Sequence, residues 1–133
     1  MKKLVHTSGK RKQAIARATI KEGKGKVRIN KMMLDIYNPE LARLRIMEPL
    51  LLAGDIAGKV NIEVNVKGGG WQAQAESARL AIAKGLVEYS GSKQLKQQYL
   101  QYDRHLLISD VRRAESSKPN DSKPRKARQK SYR

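Results

Sequence analysis

The stretch Lys59-Val60-Asn61-Ile62-Glu63-Val64-Asn65-Val66-Lys67-Gly68-Gly69-Gly70-Trp71-Gln72-Ala73-Gln74-Ala75 decides the fold of this chain. From Lys59 to Lys67 every second residue is Val or Ile and the others are polar, the pattern of a strand with one dry and one wet face. Three glycines then give a tight passage into a long helix, Trp71 to Tyr89. In that helix Ala75, Ala78, Ile82, Leu86 and Tyr89 recur at three-to-four spacing, as a core-facing stripe does. Ala73, Ala81, Ala83 and Gly85 add small surfaces for close packing of the helix on a sheet.

Working outward toward the N-terminus, Lys3 to Thr7 reads as a short strand and Gln13 to Ile20 as another, with Ala14, Ala16 and Ala18 on one face. An alanine face permits close approach by a neighbouring layer, and Arg17 on the opposite face could reach a phosphate. Between them, Ser8-Gly9-Lys10-Arg11-Lys12 reads as a turn, either a solvated hairpin tip or three cations and exposed amides offered to RNA. Glu22-Gly23-Lys24-Gly25-Lys26 is a second turn, leading into a strand from Val27 to Asn30. Pro39-Glu40-Leu41 opens a helix with Asn38 as its expected cap and a buried stripe expected from Leu41, Leu44 and either Met47 or the neighbours of Glu48. Pro49 should interrupt or restart it, and Leu50-Leu51-Leu52-Ala53 should pack in the core before Gly54.

Toward the C-terminus, Lys93 to Gln101 suits a short exposed helix and Leu106-Leu107-Ile108 a short buried stretch. From Ser116 onward there is no apolar periodicity, so that segment alone in water should be disordered, ordering only on a partner. The reading divides the chain into a folded body, residues 1–111, with basic N-terminal strands and turn, and an extended basic tail, residues 112–133.

Charge follows the same division. The net charge of +17 is loaded at the two ends. The first thirty-one residues hold eleven Lys or Arg against Glu22 alone, and Arg112 to Arg133 hold nine against Glu115 and Asp121. Met32 to Val111 holds nine of each sign and is neutral. A neutral body with basic arms suits a polyanion, and the uniform sign points to phosphate backbones. Membrane attachment would need bulky apolar anchors, and the tail has Pro119 and Pro124 but no Leu, Ile, Phe or Trp. No run approaches the length of a membrane span, and the basic start of the chain lacks the apolar core of a signal peptide, so a cytoplasmic, unprocessed protein is expected.

Chemistry has little to work with. The chain has no Cys and only two histidines, His6 and His105, which leaves no cysteine nucleophile or cysteine zinc site and no spacing for a metal cage. Asp103 and Asp110 flank an apolar stretch and show no convergent pair. Gly68-Gly69-Gly70 lacks both the dinucleotide spacing and the Gly-Lys-Ser/Thr ending of a triphosphate loop, although the amides behind it could meet an RNA phosphate. No catalytic residues, metal or cofactor are expected. Aromatic stacking motifs, a Gly-x-x-Gly clamp and zinc spacing are also missing, so a sequence-specific reader is not indicated. A free RNA chaperone would carry a similar charge pattern.

From Gly68 to Leu86 the chain resembles the ninth protein of the small ribosomal subunit, matching at Gly68, Gly69, Gly70, Gln74, Ala78, Lys84, Gly85 and Leu86. It is similar to that family again at Gly9-Lys10-Arg11-Lys12, Ala16-Arg17-Ala18, Asp110-Val111-Arg112-Arg113 and Gln129-Lys130-Ser131-Tyr132-Arg133. The Ser-Tyr-Arg ending and Lys118-Pro119-Asn120 resemble the archaeal and eukaryotic branch, archaeal the better match. The resemblance implies an α/β (α+β) two-layer sandwich like the second domain of ribosomal protein S five. It implies a seat in the head of the small subunit, on the 3′ major domain of its rRNA and beside neighbouring head proteins, with no membrane and no homo-oligomer. The rRNA contacts would come from Lys10, Arg11, Lys12, Arg17, Arg112, Arg113, Lys118, Lys123, Arg125 and Lys126. Arg128, Lys130, Tyr132 and Arg133 would then reach P-site tRNA at the tail tip. Trp71 occupies a variable family position and carries no assigned role.

Overall fold

The computed structural model describes residues 3–120, 123–127, 129 and 131. Its centre is a five-stranded sheet in the order β1-β2-β5-β3-β4. The strands are β1 (Leu4–Arg11), β2 (Ala14–Glu22), β3 (Val27–Ile29), β4 (Met32–Met33) and β5 (Val60–Lys67). β1, β2 and β5 are successively antiparallel, β3 runs parallel to β5, and β4 folds back on β3. Four helices follow in chain order: α1 (Glu40–Ala53), the single turn α2 (Asp55–Gly58), α3 (Trp71–Ser90) and α4 (Lys93–Tyr102). α3 lies on β1 and β2, α1 packs against α3, and α4 closes on both. The architecture is mixed α+β in two layers, with the helices on one face of the sheet.

The alternation of β5 settles which face is dry. Val60, Ile62, Val64 and Val66 all turn to the helices and are buried, as are Ala14, Ala16, Ala18 and Ile20 of β2. The alanine face brings α3 close to the sheet, and its own Ala75, Ala78, Ala81, Ile82, Ala83 and Leu86 complete the core. Where β1 meets α3 even an alanine is too large, since a β-carbon on Gly9 would overlap the Ser77 carbonyl. Beside it the Thr7 hydroxyl donates to the Ala81 carbonyl at 2.7 Å.

Several expectations change. Ser8 to Arg11 is strand, and the turn is only Lys12-Gln13, with Lys12 in the left-handed region at φ 53°. Gly9 therefore serves close packing rather than a bend. α1 begins after Pro39, which stands at its N-cap without a side-chain cap, so Asn38 does not fill that role. The helix runs unbroken through Pro49. Its buried stripe is Ala42, Ile46, Pro49 and Ala53, whereas Leu41, Leu44 and Leu51 face outward. α1 turns this face, and not its exposed leucines, toward α3 and the core. α4 is half-buried rather than exposed, since Leu95 and Tyr99 enter the core and the Tyr99 hydroxyl donates to the Pro49 carbonyl at 2.7 Å. Of the expected buried stretch Leu106 is buried, in a short 3-10 turn, Leu107 is half-buried against the core and Ile108 is exposed.

Candidate RNA-binding surfaces

The face of the sheet away from the helices is uncovered. Register places Lys10, Ile15 and Lys67 in one row across three strands, then Ser8, Arg17 and Asn65, then His6, Thr19, Glu63 and Arg28, and then Leu4, Lys21 and Asn61. Lys10, Arg17, Lys21, Arg28 and Lys67 thus share a surface with one carboxylate, Glu63, which reaches Lys21 at 3.8 Å. Strand parity produces this segregation, because each cation alternates with a residue of the buried face. Lys21, Arg28 and Lys67 were missed as candidates. Their signal was the alternation of β2, β3 and β5, which puts them on the same side as Arg17.

The same parity removes Arg11 from that surface. Val5, Thr7, Gly9 and Arg11 point to the helices, so Arg11 turns under α3. There its Nε donates to Glu76 Oε2 at 2.6 Å, and its Nη1 stands 3.2 Å from Asp110 Oδ2. It is a structural cation, not one free for rRNA. Arg112 is exposed, but its guanidinium is shared with Asp110, at 2.7 Å from Nη2 to Oδ2. That bond, the Arg112 N–H and the nearby Arg11 hold the Asp110 carboxyl well below the usual carboxylate range.

Lys12 and Arg113 remain exposed and meet at a corner with Gln13, Gly69, Gly70, Ala73 and Ala114, around a groove of about 360 Å³. Gly68 and Gly69 take φ of 81° and 67°, and a β-carbon on Gly68 would overlap the Gln13 carbonyl. Gln74 Nε2 donates back to the Gly68 carbonyl at 3.1 Å. The glycines and Gln74 therefore bring the hairpin and the start of α3 together. Gly70 caps α3 without a side-chain acceptor, which adds the positive end of the helix dipole to this corner.

Beyond Leu106 the described residues form no helix or strand. Lys118, Lys123 and Lys126 are exposed, and Arg125 forms a bidentate pair with Glu115 at 2.6 and 2.9 Å. That pair lowers the Glu115 carboxyl from its ordinary value and raises Arg125. Arg128, Lys130, Tyr132 and Arg133 lie outside the described residues.

The acidic residues form a structural junction. Asp103 and Asp110, which the sequence showed no reason to pair, line one polar cleft of about 110 Å³, each with its own arginine. Arg79 is buried and bridges Glu48 at 2.7 Å and Asp103 at 3.1 Å. Burial opposes ionisation of Asp103, but the His105 N–H and Arg79 outweigh it and lower its pKa. With every carboxylate answered by an arginine, the cleft offers no free base. His105 is exposed, and His6 pairs with Thr19 at 3.1 Å. Among the described residues no group of His, Asp and Glu could hold a metal ion, and no helix is long and apolar enough to cross a membrane.

With this geometry in place, the family described as Ribosomal protein S9/S16 matches the chain over residues 9–133. The chain belongs to this family. It is 51% identical over 133 residues to the small ribosomal subunit protein uS9 of Methanococcus vannielii, covering 98% of this chain and 99% of that relative. A uS9 of Methanococcus maripaludis is 50% identical over 133 residues with the same coverage. The affinity is thus with the archaeal type, and the S9 family is one of structural, non-enzymatic ribosomal components. Within it, the matched glycines, Gln74, Ala78 and Gly85 act here in packing.

Proposed function

We propose that this chain is a structural constituent of the small-subunit head, bound to the 3′ major domain of the rRNA, whose basic tail, residues 112–133, reaches P-site tRNA. The observation that carries the rRNA reading is the uncovered sheet face, where five cations meet one carboxylate on the side opposite the core. A rigid sheet holds those charges at fixed spacing, so phosphates are neutralised by placement rather than by chemistry. Lys10, Lys12, Arg17 and Arg113 extend the surface to the hairpin corner. Lys118, Lys123, Arg125 and Lys126 follow along the tail, and Arg128, Lys130, Tyr132 and Arg133 supply the tRNA contact that the family resemblance implies. The protein works in the cytoplasmic ribosome beside neighbouring head proteins, as a single copy, without cofactor or membrane.

The test exploits the absence of Cys. An iron chelate tethered through Arg133→Cys, on reconstituted small subunits with tRNA bound, should cleave the anticodon stem and adjacent rRNA. Cleavage of remote rRNA alone would overturn the tRNA contact. No cleavage, together with loss of the protein in a high-salt wash, would instead indicate a free RNA chaperone.

A further inference from the structure

The tail does not simply leave the body where the core ends. Among the described residues Leu107 is the last to pack on the hydrophobic core, and Val111 is 87% exposed. Polar contacts nevertheless hold the chain to the body as far as Asp110. Asp103 meets Arg79, Asp110 is tied through Arg11 to Glu76, and Arg113 and Ala114 share a groove with Ala73 and Gly70. Residues 79, 76 and 73 of α3 and its N-cap Gly70 are spaced by three, so each neighbours the next along a row that winds round the helix back toward its N-terminus. The segment from Asp103 to Ala114 therefore runs antiparallel along α3.

From these contacts we infer that Asp110 is a positioning residue: with Arg11 and Glu76 it forms a clamp that fixes the root and starting direction of the basic tail. The side chains of Arg11 and Asp110 are only 12% and 14% exposed, so their attraction is poorly screened by water. Asp110 also accepts the Arg112 backbone N–H at 2.9 Å, which sets the turn by which the chain leaves the clamp. The exit is the corner of Lys12 and Arg113, next to the Lys10–Ile15–Lys67 row of the open face. Without the clamp the same charges would start from Leu107 as a flexible segment and sweep a broad volume. With it, the tail begins beside the basic sheet face, and part of the ordering cost of binding is met before RNA arrives.

The clamp is testable without RNA, so its failure is distinct from failure of the proposed ribosomal role, on which only its functional consequence rests. Nitroxide labels at Gln94→Cys on α4 and Ser116→Cys on the tail would be separated by about the length of α3, roughly 30 Å at 1.5 Å per residue. The unaltered background should give one narrow distance distribution in the free, full-length protein. Asp110→Ala and Asp110→Asn should broaden it by at least about twofold, as a freed segment of coil would, with circular dichroism unchanged. Glu115→Gln, which breaks only the distal pair with Arg125, should leave the distribution narrow. A distribution already broad with Asp110 intact, or one still narrow in both Asp110 variants, would overturn the clamp. Arg11→Gln should reproduce the broadening. Should that variant lose the fold, the two Asp110 changes decide alone.

Discussion

Gly85 of α3 stands directly over Ile20 of β2, so close that a β-carbon at Gly85 would overlap the Ile20 Cδ1 and crowd the Thr7 hydroxyl. Gly85→Ala should therefore destabilise the protein despite the better helix propensity of alanine, by about 1–3 kcal/mol as overpacking of a close-packed core does. Ile20→Val removes the obstructing Cδ1. The double variant should recover part of the loss in a double-mutant cycle measured by urea unfolding, and strictly additive losses would show that the contact is not the cause.

That contact also marks what the sequence could and could not tell. Gly85 and the alanines of β2 and α3 were readable as a close helix-on-sheet surface, and the strict alternation of β5 placed the dry face. The leucines of α1 look like a core stripe, while the face it buries carries Ala42, Ile46, Pro49 and Ala53, a pattern that only the packing against α3 and α4 reveals. Arg11 was misread for a similar reason: as part of a basic turn it looks free, but strand continuity through Arg11 puts it under α3. The pairing of Asp110 with Arg11 spans far too much chain for local pattern to reveal. Arg17 was legible as an outward cation, whereas its companions Lys21, Arg28 and Lys67 needed the strand register.

Asp103 should contribute to acid stability. Its carboxyl titrates below its ordinary value in the folded protein, held there against burial by the His105 N–H and Arg79. The stabilisation is therefore present above the unfolded-state pKa, about 3.9, and is lost as pH falls through the lower folded value. Asp103→Asn should lower the urea midpoint at pH 7 and flatten its decline below about pH 4. An unchanged acid limb would mean that Arg79 gains its stability from Glu48 alone.

The Tyr99 hydroxyl ties α4 to α1 through the Pro49 carbonyl, and burial raises its pKa above that of an ordinary tyrosine. Tyr99→Phe keeps the ring in place and removes one hydrogen bond, which should cost about 0.5–1.5 kcal/mol. Tyr99→Ala would empty a core site and cost about 3–5 kcal/mol. Denaturant unfolding distinguishes the two, and absorbance titration should show Tyr99 resisting ionisation, with Tyr37 also raised by burial.

Charge on the open face should matter to RNA without mattering to the fold. Arg17 and Lys67 are exposed on adjacent strands of a rigid sheet, and neither replaces a core contact when shortened. Arg17→Ala and Lys67→Ala should each change the unfolding free energy by no more than about 0.5 kcal/mol. On the 3′ major domain of the rRNA, each should weaken binding and reduce the slope of log K against log salt by about 0.7–0.9, one released counterion per lost phosphate contact. Glu63→Gln removes the only carboxylate of that face among the described residues and should strengthen binding with little change in stability. The salt slope is the deciding quantity, since a substitution that merely loosened the sheet would lower affinity without removing a counterion. Equal slopes for the original protein and both cation variants would move the rRNA contact off this face and onto the corner and tail.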